Sequence, residues 1–176
     1  MTNTVIFKWN PAISSYSMLE FLDDIRLKID DGDWSVHDYN KIQDGDRFYM
    51  LKVGKGQTGI VKRGRIITAP FTDEDWSRLK RTTYYCEYRA TIMINPDTFP
   101  LLTSEQLQQA IPNFDWFGGH SGVVLDPAQA NKLERVWKKY ISDTQEEFHA
   151  RLELLEKRDN MINDQLFWRR RTKRNL

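Results

Sequence analysis

From Tyr84 to Ile94 the side chains alternate, with Tyr84, Cys86, Tyr88, Ala90, Ile92 and Ile94 on one side of an extended chain and Tyr85, Glu87, Arg89 and Thr91 on the other. A period of two marks a strand half-buried in a sheet. Such a strand needs partner strands, and the sequence supplies them upstream. Arg47 to Val53 and Thr58 to Thr68 flank the connection Gly54-Lys55-Gly56-Gln57 and read as a hairpin. Val5 to Trp9 reads as a first strand, stopped by Asn10-Pro11 because proline lacks the ladder N–H.

A second period appears between these segments. Met18, Phe21, Leu22, Ile25 and Ile29 follow helical spacing from Ser17, with Asp23, Asp24, Arg26 and Lys28 on the opposite face. This helix is expected to end near Asp31-Gly32, after which a loop carries Trp34-Ser35. Thr72 with Asp75 predicts a short helical turn through Trp76 to Leu79, and Thr103 with Gln106 a capping box for a helix through Ala110. Asn113 to Gly122 is expected to be loop, Val123 to Leu125 a brief strand, and Asp126-Pro127 the opening of the last and longest helix.

Strands and helices mixed in this way predict an α+β fold. A chain of 176 residues suits one ordinary domain with an extension, and the expected division is 1–142 for the domain and 143–176 for a helical extension with a basic tail. Along that extension Ile141, Gln145, Phe148, Leu152, Leu155, Asp159, Ile162 and Leu166 keep heptad spacing. The seam suits pairing with a copy of itself or with a helical protein partner, and equally a helix folded back on its own domain.

The formal net charge of +1 argues against nucleic-acid binding by bulk electrostatics, so any basic footprint must be local. Cys86 is the only cysteine, which excludes an internal disulfide and a cysteine-based zinc site. No apolar run approaches the roughly 20 residues that span a bilayer, and the start of the chain lacks the pattern of a signal peptide. A cytoplasmic protein without a membrane partner is expected.

Templates for catalysis fail one by one. The glycines after Val53 lack the Lys-Ser/Thr of a phosphate-binding loop. Val123 stands where a nucleophile elbow built on Ser121 needs its second glycine. His37, His120 and His149 lack the spacing of a helical metal pair, so neither a metal nor another cofactor is expected. Asp115, His120 and Ser121 are loop neighbours, a weak basis for a nucleophilic site. The remaining signal is aromatic residues set beside small polar ones, at Asp31-Gly32-Asp33-Trp34-Ser35 and at Phe114-Asp115-Trp116-Phe117 running into Gly118-Gly119-His120-Ser121-Gly122. Aromatic faces stack on bases, and polar groups read base edges. The same rings also suit a hydrophobic lid over a barrel, and composition does not separate the two.

Trp9-Asn10-Pro11, Trp34-Ser35, the run Gly45-Asp46-Arg47-Phe48-Tyr49-Met50-Leu51 leading to Gly59-Ile60-Val61-Lys62-Arg63-Gly64, and the segment Trp116 to Gly122 together resemble the EVE-type branch of the PUA-like superfamily, related to YTH and ASCH domains. The similarity extends from Val5 to about Tyr140. It implies a PUA-like mixed β pseudo-barrel with flanking helices and a long C-terminal helix, and a non-catalytic pocket for a modified or flipped-out base of DNA or RNA. By the YTH pattern Trp34-Ser35 would form an aromatic wall. By the EVE pattern Trp9, Asn10, Trp116, Ser121 and Gly122 would approach the same cavity. The chain departs from that pattern in having no recognisable nuclease or motor domain, which leaves open a standalone role or a separately encoded partner. Phosphate contacts are expected from Lys62, Arg63 and Arg65 on the hairpin, from Arg78, Lys80 and Arg81, and from the tail Arg169-Arg170-Arg171-Thr172-Lys173-Arg174.

Overall fold

The computed structural model describes residues 1–75 and 81–147. Its elements in chain order are β1 (Thr4–Trp9), α1 (Met18–Leu27), β2 (Asp31–Ser35), a 3₁₀ turn (Tyr39–Lys41), β3 (Arg47–Lys52), β4 (Gly59–Ile66), β5 (Phe71–Glu74), β6 (Thr82–Met93), α2 (Ser104–Ala110) and β7 (Val123–Val124). A long helix then runs from 127 to 147, the last described residue. Two compact units are distinguished, Met1–Val136 and Trp137–Leu176. All the described strands belong to the first. In the second, Trp137 and Tyr140 bring their rings within 5.2 Å of each other. The heptad seam from Phe148 onward lies outside the described residues, as do the expected turn at Trp76 to Leu79, Arg78 and Lys80.

The strands form a curled mixed sheet in the order β2-β6-β4-β3-β1-β7, with β5 also on β6. β3 and β4 make the expected antiparallel hairpin. β1 joins β3 in parallel, from Thr4 opposite Arg47 to Trp9 opposite Lys52. Burial on both faces explains why Val5, Ile6 and Phe7 are consecutive and wholly buried, as are Phe48, Tyr49, Met50 and Leu51. Against one edge of β6 lie β4 and then β5; against the other lies β2.

Helix entry follows the sequence. The Ser17 hydroxyl accepts the Glu20 N–H at 3.2 Å while the Glu20 carboxylate accepts the Ser17 N–H at 2.7 Å, and Thr103 with Gln106 repeats this box at α2. Asp126 caps the last helix by accepting the Gln129 N–H at 2.8 Å.

Two expectations are corrected. α1 stops at Leu27, earlier than expected, and Asp31 to Ser35 is a strand rather than a loop. Thr72 lies within β5 and is not the helix-entry residue expected of it. In both places pairing with the long strand β6 overrides the local signals of small polar residues.

The two ends of the sheet meet. His37 N–H donates to Ser121 O at 3.0 Å and Asp38 N–H to Gly122 O at 2.9 Å, while Gly122 N–H donates to Ile6 O at 2.8 Å. These bonds tie the segment after β2 to the segment before β7 and so to β1, giving the pseudo-barrel its closure. Further along, a cleft lies between β2 and the end of β1.

Candidate functional site

The cleft measures about 580 Å³ and is walled by the end of β1, the segment before α1, β2 and the Phe117–Ser121 loop. This is the size range of small-molecule sites. The β2 wall is a free strand edge. Ala90 N–H donates to Asp30 O at 2.6 Å and Val36 N–H to Tyr84 O at 2.9 Å, so by antiparallel alternation Gly32 and Trp34 exchange bonds with β6. The peptide groups of Asp31, Asp33 and Ser35 therefore turn to the cleft side, and all three residues line it.

Trp34 is half-buried, and its indole N–H donates to the Ser121 hydroxyl oxygen at 2.9 Å. Ser121 also accepts the Lys8 backbone N–H at 2.8 Å. Both its lone pairs are thereby used, which leaves its own O–H as a donor. Tyr16 stands edge-on to the indole, ring centres 6.2 Å apart at 76°. The ring of Trp34 is thus fixed by a residue 87 positions away.

The other expected base-binding residues divide. Trp9 lines the cleft but is wholly buried, its indole N–H donating to Tyr16 O at 2.7 Å and its ring packed on Phe21 at 4.8 Å. It backs the wall without offering a free face. Asn10 and Ser35 line the cleft, Asn10 accepting the Ala12 N–H at 3.1 Å. Trp116 does not line it, and this corrects the expectation. Its ring is wholly buried, its N–H donates to Ile111 O at 3.0 Å, and it packs on Phe114 at 4.6 Å. Phe117, 47% exposed, is the aromatic of that loop that reaches the cleft. Gly122 is likewise absent from the lining and packs against Val36.

Sequence reasoning missed Tyr16, Asp24 and Tyr88, which line the cleft, and misread Lys62. The Lys62 side chain is 0% exposed and so cannot be a surface phosphate contact. Its amine donates to the hydroxyls of Tyr16 at 3.0 Å and Tyr88 at 3.1 Å and lies 3.8 Å from the Asp24 carboxylate. Tyr16 in turn donates to Asp24. Of the other cations, Arg63 is held by Tyr49 at 3.0 Å and Glu134 at 3.4 Å. Arg81 is paired with Asp75, and exposed Arg65 donates to Gly45 O at 3.1 Å. No basic patch is thereby assembled from the hairpin residues.

Burial pulls the Lys62 amine down to about 8, against the opposing pull of Asp24. Unfolded, the amine keeps its proton to about its ordinary 10.5, so above pH 8 the unfolded chain binds more protons and stability rises with pH. Cys86, whose thiol burial pushes up to about 12 from 9.0, opposes this gain above pH 9. Denaturant titrations are therefore expected to show wild type gaining about 1 kcal/mol relative to Lys62→Met between pH 8 and 9. Parallel pH dependences of the two proteins would refute the buried-amine account.

Asp115, His120 and Ser121 are not brought together as a nucleophilic site. Asp115 accepts the N–H groups of Phe117 at 2.9 Å and Gly118 at 3.0 Å, His120 stacks on His37 at 4.3 Å, and Ser121 is committed as described. Cys86 is buried in β6 and its raised pKa disfavours the thiolate. Among the described residues no group of three His, Cys, Asp or Glu side chains could hold a metal ion, and no helix is long and apolar enough to cross a membrane.

No protein-family model and no curated protein matches the chain. Solved structures do. A hypothetical protein from Leishmania major matches with TM-score 0.56 and 10% identity over 80% of this chain and 97% of its own. A protein from Pseudomonas putida matches with TM-score 0.54 and 16% identity over 76% and 98%. The Mmi1 YTH domain overlaps more loosely, with TM-score 0.47 and 11% identity over 81% and 99%, too loosely to carry a functional conclusion. At such identities the likeness concerns the fold alone, and by its curled mixed sheet, flanking helices and long C-terminal helix the chain is a protein of the PUA-like fold.

Proposed function

We propose that the chain is a non-catalytic nucleic-acid-binding module that receives a modified or flipped-out base of DNA or RNA in the cleft. The observation that carries this reading is Trp34, a half-buried indole on the wall of a cleft of about 580 Å³, roomy enough to admit a base, oriented by Ser121 and Tyr16. A fixed ring stacks on a base without losing side-chain freedom at the moment of binding. The free β2 edge, the Asn10 amide and the Ser121 O–H supply in-plane donors and acceptors. Extrusion of a base costs a few kcal/mol, which stacking and edge hydrogen bonds offset. Arg65 and Arg81 keep exposed guanidinium groups that would meet phosphates at a distance from the cleft.

The test is a panel of modified and unmodified DNA and RNA oligonucleotides. At least one modified member should bind the wild type, and Trp34→Ala should weaken it by about 5- to 150-fold, the loss of one stacking platform. Equal binding by wild type and variant, or no binding by any member, removes the reading.

A further inference from the structure

The cleft is an unusual receptor for a polyanion, because its walls combine aromatic rings with an excess of negative charge. Three carboxylate residues line it, Asp24, Asp31 and Asp33, against one cation, Lys8. The Lys8 amine is already clamped by the carbonyls of Asp115, at 2.7 Å, and Gly118. Asp24 is offset by buried Lys62. Asp31 and Asp33 have no ion-pair partner among the described residues, and they flank Gly32 on the free edge of β2. Their field reaches the floor. After burial, the charges of Asp24, Asp31 and Asp33 are what push the Tyr88 hydroxyl far above its ordinary value, and Asp33 acts on Cys86 in the same direction.

Resting on the base-binding reading above, we propose that the preferred ligand is a base that is cationic at neutral pH, of the kind made by methylating a ring nitrogen, rather than a neutral modified base. The indole of Trp34 attracts a cation through its face, tryptophan doing so most strongly of the aromatic residues, whereas the Tyr16 ring already has the Lys62 amine 4.8 Å from its centre. A desolvated cation in an aromatic recess gains further from carboxylates at the rim. The same field repels phosphate, so the charge has to sit on the base itself. A planar ligand is favoured over an alkylammonium because the β2 edge presents peptide groups in one line, suited to the edge of a flat heterocycle. The Ser121 O–H asks for an acceptor on that ring.

The experiment is fluorescence or calorimetric titration of the full chain with matched nucleosides, N1-methyladenosine against N6-methyladenosine and N3-methylcytidine against 5-methylcytidine, in slightly acidic buffer where the first of each pair is cationic. The cationic member should bind about tenfold more tightly, and the double variant Asp31→Asn, Asp33→Asn should bring the ratio close to one. Both substitutions are at exposed positions, and thermal melts check that the variant is folded. Equal or tighter binding of the neutral member sinks the charge preference and leaves base binding intact. A ratio unmoved by the double variant sinks the role of the two aspartates. Trimethyllysine competing as well as the cationic nucleosides overturns the planar-base assignment. Failure of every nucleoside, together with failure of the oligonucleotide panel, removes the base-binding reading and this inference with it.

Discussion

Gly64→Ala is expected to destabilise the domain by about 4 kcal/mol or more, at the extreme end of single substitutions. Gly64 sits where the β4–β6 register shifts, opposite Ala90. A Cβ there would lie 2.0 Å from the Arg89 carbonyl oxygen and 2.7 Å from the Ala90 Cα. Both are backbone atoms in the middle of the sheet, so no side-chain rotation relieves the contact. Ala90 cannot retreat easily, since its N–H is bonded to Asp30 O at 2.6 Å on its far side. The strands must part, and parting them loosens Lys62, two residues before Gly64, from Tyr88, two residues before Ala90. Urea unfolding followed by tryptophan fluorescence gives the number; if the variant is too unstable to purify, its soluble yield and proteolysis against wild type give the direction. A loss under about 1 kcal/mol would mean that β4 and β6 are not packed this closely.

The position of Gly64 also illustrates what was legible in the sequence. The hairpin of β3 and β4, the alternation of β6 and both capping boxes depend on neighbours within a few residues, and each was found where the pattern placed it. The parallel pairing of β1 with β3 depends on residues about 40 apart and left only a trace, the unbroken apolar run at Val5, Ile6 and Phe7. The site was harder for the same reason. Trp34 and Trp116 look alike in sequence, each an indole beside glycine and small polar residues. What separates them is where each N–H finds its acceptor, a serine across the barrel seam for Trp34 and the backbone of Ile111 for Trp116. Lys62 followed the same logic in reverse. A lysine between Val61 and Arg63 reads as solvent-facing, and only Tyr16, Tyr88 and Asp24, remote in sequence, make its burial tolerable.

Gly122→Ala is expected to cost about 3 kcal/mol, combining left-handed backbone strain with overpacking, and to loosen the cleft as it does so. Gly122 holds φ at +73°, and a Cβ on it would lie 2.3 Å from the Val36 Cα and 2.9 Å from the His37 nitrogen. These are the two chains that close the barrel, joined by Asp38 N–H to Gly122 O at 2.9 Å and His37 N–H to Ser121 O at 3.0 Å. Pushing them apart moves Ser121, and with it the acceptor that fixes the Trp34 indole. A lower unfolding midpoint should therefore come with weaker binding of any oligonucleotide that the wild type recognises, although residue 122 does not line the cleft. Gly119→Ala is the matched control for stability alone, since Gly119 lines the cleft. Its φ of +81° is similar, but its Cβ would meet only side-chain atoms, the Lys8 amine at 3.3 Å and the Asp115 carboxylate at 3.6 Å, so the backbone strain, about 1 kcal/mol, should dominate. Equal losses in the two variants would show that backbone conformation dominates and that the seam between Val36 and Gly122 does not hold the site together.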